Sequence, residues 1–206
     1  TLHHLKRVLI GGAAAPRAMI QAFEDRGIAV THAWGMTELS PAGSMSALKP
    51  PLEELPRARQ IDVLGKQGYP LFGVEMTITD DEGRARPRDG KSVGRLKVKG
   101  PAVAKAYFKG EGREAFDGHG WFDTGDVASL DANGFMQITD RSKDVIKSGG
   151  EWISTIEIEN LAVGHPDVAE AAAIGVPHPK WGERPLLIVV PKPGTSPTAD
   201  SLLAHL

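Results

Sequence analysis

The chain has 206 residues, and its 24 Lys and Arg against 26 Asp and Glu exclude a nucleic-acid surface built on bulk positive charge. It contains no cysteine, which excludes disulfides, thiolate nucleophiles and cysteine metal sites. No apolar run approaches the about 18 residues that a membrane-spanning helix needs, and no signal-peptide pattern is visible. We therefore expect a cytoplasmic protein without a transmembrane segment.

The first segment predicts a strand, a helix and a second strand. Residues 7–10 form a short apolar run that ends at two glycines, and Pro16 suits the first turn of a helix. Gly27 is a plausible end of that helix, and residues 28–34 form the next apolar strand. A unit of this kind favours a parallel pair of strands with a right-handed crossover.

The middle of the chain predicts antiparallel β-structure. Residues 74–79 and 95–99 alternate between apolar and polar side chains, as half-buried strands do. Residues 127–130 and 135–139 flank an Asp-Ala-Asn-Gly turn, which predicts a hairpin.

The last part predicts a small α+β unit. Three apolar runs are strand candidates: residues 144–147, 168–176 and 186–190. The first of them is followed by a flexible loop at residues 148–150. Ser154 or Thr155 could cap a helix that runs to Val163 and stops at Gly164.

Both ends of the chain are abrupt. The sequence begins at Thr1 rather than at Met, and residues 198–206 predict a capped helix that stops in its second or third turn. We therefore expect a fragment of a longer protein.

Two loops follow the predicted parallel strands, at residues 11–16 and 35–38. Ligands of parallel sheets bind beyond the carboxyl ends of the strands, so these loops would face one cleft. The first loop has no bulky side chain, so a flat ligand could lie on its backbone, and Trp34 could stack on a base. Thr37 offers a hydroxyl for a phosphate oxygen, and Glu38 offers a carboxylate for Mg²⁺. The alternative is a tight turn with one exposed acid.

The predicted hairpin brings a second pair of side chains together. If Leu130 pairs with Phe135, Asp126 lies opposite Thr139, and Arg141 sits just beyond. Asp126 could then accept hydrogen bonds from the hydroxyls of a ribose while Arg141 donates. The alternative is a surface ion pair that contributes little.

Five motifs, in order along nearly the whole chain, resemble those of the adenylate-forming enzymes, which include acyl-CoA synthetases, peptide adenylation domains and luciferases. They are the adenine loop GGAAAP at 11–16, WGMTE at 34–38, GRLKVKGP at 94–101, GWFDTGD at 120–126 and the hinge motif DRSKDVIKSGGE at 140–151. Residues 152–185 look closest to the medium- and long-chain fatty-acyl-CoA synthetase branch, which includes the methylmercaptopropionate-CoA ligases.

The resemblance implies a two-step ligase. A carboxylate attacks the α-phosphate of Mg-ATP to give acyl-AMP and pyrophosphate, and the thiolate of CoA then displaces AMP. The implied nucleotide-binding residues are Gly12, Ala13, Ala14, Trp34, Gly35, Met36, Thr37, Asp126 and Arg141. Thr37 and Glu38 are implied to be catalytic, with Glu38 as the Mg²⁺ ligand, and Lys143 is the implied hinge residue. The residues implied to approach CoA are Lys147, Ser148, Gly149 and Gly150.

The implied fold class is α/β plus β plus α+β. Residues 1–142 would be the C-terminal part of the large AMP-binding domain, a parallel βαβ unit followed by antiparallel, barrel-like hairpins. Residues 143–206 would be a truncated, mobile small domain. The family's upstream phosphate loop and its C-terminal catalytic lysine have no counterpart in this sequence, so we expect the chain to be inactive alone.

Several interpretations of function stay open. The expected partners are a small carboxylic acid, ATP and CoA, with no nucleic acid, and homo-oligomerisation is left open. One alternative is an acyl-AMP ligase that delivers the acyl group to a carrier protein. The other is a non-catalytic nucleotide-binding fragment.

Overall fold

The computed structural model describes residues 4–206. The elements of the first two-thirds are β1 (Arg7–Ile10), α1 (Arg17–Glu24), β2 (Ala29–Gly35), β3 (Ala42–Met45), α2 (Arg57–Leu64), β4 (Tyr69–Pro70), β5 (Glu75–Thr79), β6 (Val93–Lys99), β7 (Phe122–Leu130) and β8 (Met136–Arg141). The remaining elements are β9 (Ile146–Ser148), β10 (Glu151–Ile153), α3 (Thr155–Val163), β11 (Val168–His178), β12 (Gly182–Pro191) and α4 (Ala199–His205). Among residues 4–206, no helix is long and apolar enough to span a membrane.

Internal contacts divide the chain into two compact units. The first unit runs to Thr124 and includes Ala128–Ile138, and the second unit comprises Gly125–Val127 and Thr139–Leu206. The expected domain boundary between residues 142 and 143 stays a prediction.

The first sheet has the strand order β1-β2-β3-β4, and its βαβ unit confirms the predicted parallel pair. Val8 lies opposite Val30 in the parallel register. Helix α1 begins after Pro16, as expected, and buries Ile20 against Val30 and two side chains of α2. Ala15 belongs to the same buried apolar cluster, so burial of the cluster fixes one end of the otherwise exposed loop that joins β1 to α1.

Three elements of the first unit, β3, α2 and β4, were not predicted. Helix α2 lies between Pro56 and Gly65 and buries only Ile61 and Leu64. Two buried positions in eight residues give only a weak helical pattern of apolar side chains. The proline before the helix and the glycine after it are the only features of the sequence that indicate its bounds.

The antiparallel sheet of the middle region has the order β5-β6-β7-β8, which confirms the predicted antiparallel class. Strands β5 and β6 pair in register, with Met76 opposite Val98. The predicted turn after β7 is closed by Asp131, whose carboxylate accepts hydrogen bonds from the backbone N–H groups of Asn133 and Phe135.

The second unit contains an antiparallel sheet of order β10-β9-β12-β11 together with α3. The expected flexible loop at residues 148–150 is instead a tight turn, because Ser148 pairs directly with Glu151. Gly149 and Gly150 both adopt positive φ, at 61° and 88°, which suits the two-residue turn of a β-hairpin.

Helix α3 matches its predicted bounds and is fixed at its N-terminus by two side chains. Ser154 accepts a hydrogen bond from the backbone N–H of Glu157 and caps the helix. Asp140 is buried, and its Oδ2 accepts from both the N–H and the hydroxyl of Thr155, each at 2.7 Å. Its Oδ1 accepts from the N–H of Arg141, so one carboxylate joins the end of β8 to α3.

Replacing Asp140 by alanine should loosen α3. Three donors that now bond to a buried carboxylate would lose their acceptor, at about 1–3 kcal/mol of local stability. Hydrogen exchange of the α3 amides measures this change. Asp144→Ala is the matched control, since its side chain is 48% exposed. Equal protection of α3 in the two variants would contradict the role of Asp140.

Candidate active site

The loop at residues 11–16 is exposed except for Ala15, and the carbonyl of Ala13 in this loop lies against the buried ring of His32. The His32 side chain is 1% exposed, with Nε2 3.3 Å from the carbonyl oxygen of Ala13 and Nδ1 2.9 Å from that of Gly65. His32 belongs to none of the sequence motifs described above. Its signal was the two-residue period of β2, which places it on the buried face with Val30 and Trp34.

The turn that follows β2 presents Thr37 and Glu38. Gly35 is required there, because a Cβ at this position would lie 2.0 Å from the carbonyl oxygen of Pro41. Thr37–Leu39 form a single 3-10 turn, in which Leu39 is buried and Thr37 is exposed. The buried leucine therefore anchors a turn whose hydroxyl faces solvent.

Trp34, the expected stacking residue, lies mostly within the core. It is 8% exposed, and its ring packs closely against Gly43. Little of its surface is therefore left for a ligand, and its contact with a base stays a prediction.

Glu38 has a partner that no motif in the sequence indicates. The hydroxyl of Tyr107 donates a hydrogen bond to Glu38 Oε1 at 2.5 Å. This hydrogen bond is the main cause that raises the pKa of Tyr107 to about 12, and desolvation and the charge of Glu38 add to it. A separation of 69 residues leaves no local pattern that could have shown the pair.

The donors around Glu38 suit a cation that is held jointly by protein and phosphate. Within residues 4–206 no group of three or more His, Asp or Glu side chains could hold a metal ion by itself. Mg²⁺ usually takes one or two carboxylates, with the remaining positions filled by phosphate oxygens and water. The half-buried carboxylate of Glu38 beside the exposed hydroxyl of Thr37 fits that pattern.

In the second unit, Asp126 and Arg141 meet as predicted. Arg141 Nη1 donates to Asp126 Oδ1 at 2.5 Å. The carbonyl of Gly125 accepts from both the N–H and the hydroxyl of Ser142, which aligns the two chain segments. The Asp126 side chain is 6% exposed and the Arg141 side chain is 53% exposed. The pair is therefore not a fully exposed surface ion pair, which was the alternative that the sequence left open.

The turn expected to approach CoA is held on two sides. The backbone N–H of Lys147 donates to Glu183 Oε2 at 2.8 Å, and its ammonium group lies 4.6 Å from the centre of the Trp152 ring. Gly149 donates its N–H to the carbonyl of Trp181, whose ring lies against this glycine. The expected hinge residue Lys143 has an 81% exposed side chain.

Two family models match the chain. The model described as AMP-binding enzyme matches residues 1–108, and the model of the AMP-binding enzyme C-terminal domain matches residues 157–206.

Curated relatives cover almost all of the chain. It is 51% identical over 99% of its length to 3-methylmercaptopropionyl-CoA ligase of Ruegeria pomeroyi. It is 44% identical over its whole length to a long-chain-fatty-acid–CoA ligase of Thermus thermophilus, and 47% identical over 96% to a medium-chain-fatty-acid–CoA ligase of Ectopseudomonas oleovorans. The chain spans 36–38% of the length of these relatives.

Solved structures show the same fold. The chain matches o-succinylbenzoate CoA synthetase of Bacillus subtilis, in complex with an acyl-adenylate intermediate, with a TM-score of 0.79 and 34% identity over 97% of the chain and 39% of that structure. An amide bond synthetase of Marinactinospora thermotolerans matches with a TM-score of 0.77 and 31% identity over 100% of the chain and 40% of that structure.

The phenol of Tyr107 should titrate near pH 12 instead of at its ordinary 10.0. A raised pKa favours the protonated form in the folded state, so its contribution to stability is present below pH 10.0 and is lost as pH rises through about 12. Tyr69→Phe leaves Tyr107 as the only tyrosine of this chain, whose ionisation ultraviolet absorbance then follows. Glu38→Ala should move the pKa back toward 10.0, and titration at 10.0 with Glu38 intact would refute the hydrogen bond.

Proposed function

Because the chain belongs to the AMP-binding enzyme family, we propose that it provides part of the active site of an acid–CoA ligase that activates an aliphatic carboxylic acid. A carboxylate oxygen attacks the α-phosphorus of ATP. The bond from this phosphorus to the bridging oxygen breaks, and pyrophosphate leaves with that oxygen. The sulfur of CoA then attacks the acyl carbon, and AMP leaves. The relatives that are 44–51% identical and are named for methylmercaptopropionate and fatty acids support an aliphatic acid.

The observation that carries this proposal is the buried carboxylate of Asp126 beside the half-exposed guanidinium of Arg141. A ribose presents two neighbouring hydroxyls, each of which can donate one hydrogen bond and accept another. Asp126 accepts from these hydroxyls, and Arg141 donates while holding the carboxylate in place. Because Asp126 is shielded from water, loss of this acceptor would leave a ribose hydroxyl without compensation.

The first unit, taken by itself, carries groups suited to an adenine, to a phosphate and to Mg²⁺. The exposed backbone at Gly12, Ala13 and Ala14 accommodates the adenine, since no bulky side chain stands in its way. The hydroxyl of Thr37 donates to an oxygen of the α-phosphate, and Glu38 is the protein ligand for Mg²⁺. When bound, this ion supplies positive charge to the phosphate oxygens, on which negative charge accumulates in the transition state.

In the second unit, the turn at residues 148–150 presents backbone and the Lys147 ammonium group to CoA. The Trp152 ring and Glu183 hold Lys147 in position. The ammonium group of Lys147 can then attract the phosphates of CoA, and Lys143 is the hinge residue at which the chain segment that follows it turns between the two steps.

Replacing Asp126 by alanine, in the complete protein as the cell makes it, should raise KM for ATP about 10- to 100-fold, because a hydrogen bond to a charged acceptor is lost. KM for CoA and for the acid should change little. ATP–pyrophosphate exchange measures the first step, and chromatography of the acyl-CoA product measures the second.

Asp123→Ala is the matched control, since it removes a carboxylate from the same strand that pairs instead with Arg95 at 2.8 Å. An unchanged KM for ATP in the Asp126 variant would refute the ribose assignment. In the unaltered complete protein, formation of acyl-AMP without any CoA thioester would favour transfer to a carrier protein. Absence of both products in that protein would refute the ligase.

A further inference from the structure

Tyr107 lies beside the proposed Mg²⁺ ligand, and the proposed function gives it no role. Two other contacts join its chain segment to the turn that carries Glu38. The hydroxyl of Ser40 donates to the carbonyl of Ala102 at 3.0 Å, and the N–H of Ala104 donates to the carbonyl of Glu38 at 2.7 Å. The segment is therefore anchored to the turn without the tyrosine hydroxyl.

The ring of Tyr107 is seated independently of its hydroxyl. It packs edge-on against Phe116 and Phe122, with ring centres 5.5 and 6.3 Å away. Gly112 makes room for it, since a Cβ there would lie 3.0 Å from the ring. These apolar contacts fix the direction in which the hydroxyl points, and a phenylalanine would keep them.

The hydroxyl of Tyr107 binds only one of the two oxygens of the Glu38 carboxylate. It donates to Oε1 at 2.5 Å, and within residues 4–206 no hydrogen bond is formed to Oε2. One carboxylate oxygen is thus held and the other is available to a ligand.

We propose that Tyr107 is a positioning residue that holds the Glu38 carboxylate, through Oε1, in the orientation in which Oε2 binds the divalent cation of the nucleotide. The proposal rests on the function proposed above and deepens it. Carboxylates that ligate metals are commonly oriented by hydrogen bonds from outside the coordination shell, and loss of such a partner typically lowers metal affinity about 10- to 100-fold.

The test measures how strongly the cation and ATP support each other's binding. The dissociation constant of ATP is measured by calorimetry on the complete protein, without the carboxylic acid, once with Mg²⁺ and once with a chelator. The ratio of the two constants is the metal coupling. Tyr107→Phe should lower this coupling about 10-fold. The affinity for ATP without metal should stay within about 2-fold of the parent, which is the size of effect expected from a substitution that does not act on the bound group.

The chain offers a matched control, because it has two tyrosines. Tyr69→Phe removes the same hydroxyl from a ring that packs against Phe135, and it should leave the metal coupling unchanged. Glu38→Gln should abolish the coupling, and adding Tyr107→Phe to it should have no further effect, because both act through one carboxylate.

The outcomes separate the two proposals. Loss of coupling in Glu38→Gln together with an unchanged coupling in Tyr107→Phe would overturn the role of Tyr107 and leave the function standing. Full coupling in Glu38→Gln, or no binding of ATP by the parent, would overturn the metal site itself. If Tyr107→Phe weakened ATP binding equally with and without Mg²⁺, or if Tyr69→Phe lowered the coupling as well, the effect would be structural and the positioning role would be refuted.

Discussion

The buried imidazole of His32 connects three parts of the first unit that lie far apart in sequence. It reaches the carbonyl of Ala13 on one side and that of Gly65 on the other. The last carbonyl groups of a helix have no partner within the helix, and burial makes a partner obligatory. Ser46 completes the arrangement by accepting from the N–H of His32 and donating to the carbonyl of Leu64. A neutral imidazole has one N–H, so His32 donates to one of these two carbonyls in each tautomer, whereas Ser46 donates to the end of α2 in either case.

In the second unit, two adjacent residues of one β-strand form contacts on opposite faces of the strand. Asp140 and Arg141 are consecutive in β8, so their side chains point to opposite faces. The buried carboxylate of Asp140 binds the start of α3, whereas the guanidinium of Arg141 reaches Asp126. The same short motif thus fixes a helix on one face of the strand and forms an ion pair on the other.

Local rules in the sequence predicted what is encoded locally. The bounds of α3 followed from Ser154 and Gly164, and the meeting of Asp126 with Arg141 followed from the predicted hairpin, although Asp131 and not Leu130 pairs with Phe135 across its turn. The contact of Glu38 with Tyr107 could not be predicted in this way, because the intervening residues form several elements whose packing sets the distance. At residues 148–150, the glycines suggested looseness, yet their positive φ angles form a tight turn. Composition alone does not distinguish a mobile loop from a turn that requires glycine.

The close approach of Gly35 to Pro41 makes one position sensitive to inherited change. Any other amino acid at residue 35 would displace the carbonyl of Pro41 and, with it, the turn on which Thr37 and Glu38 are carried. A missense change in the codon of this glycine would therefore disturb the proposed phosphate and cation contacts while leaving the side chains of Thr37 and Glu38 unaltered. A missense variant here would act through the backbone of the turn and not through the loss of a charged or hydroxyl group.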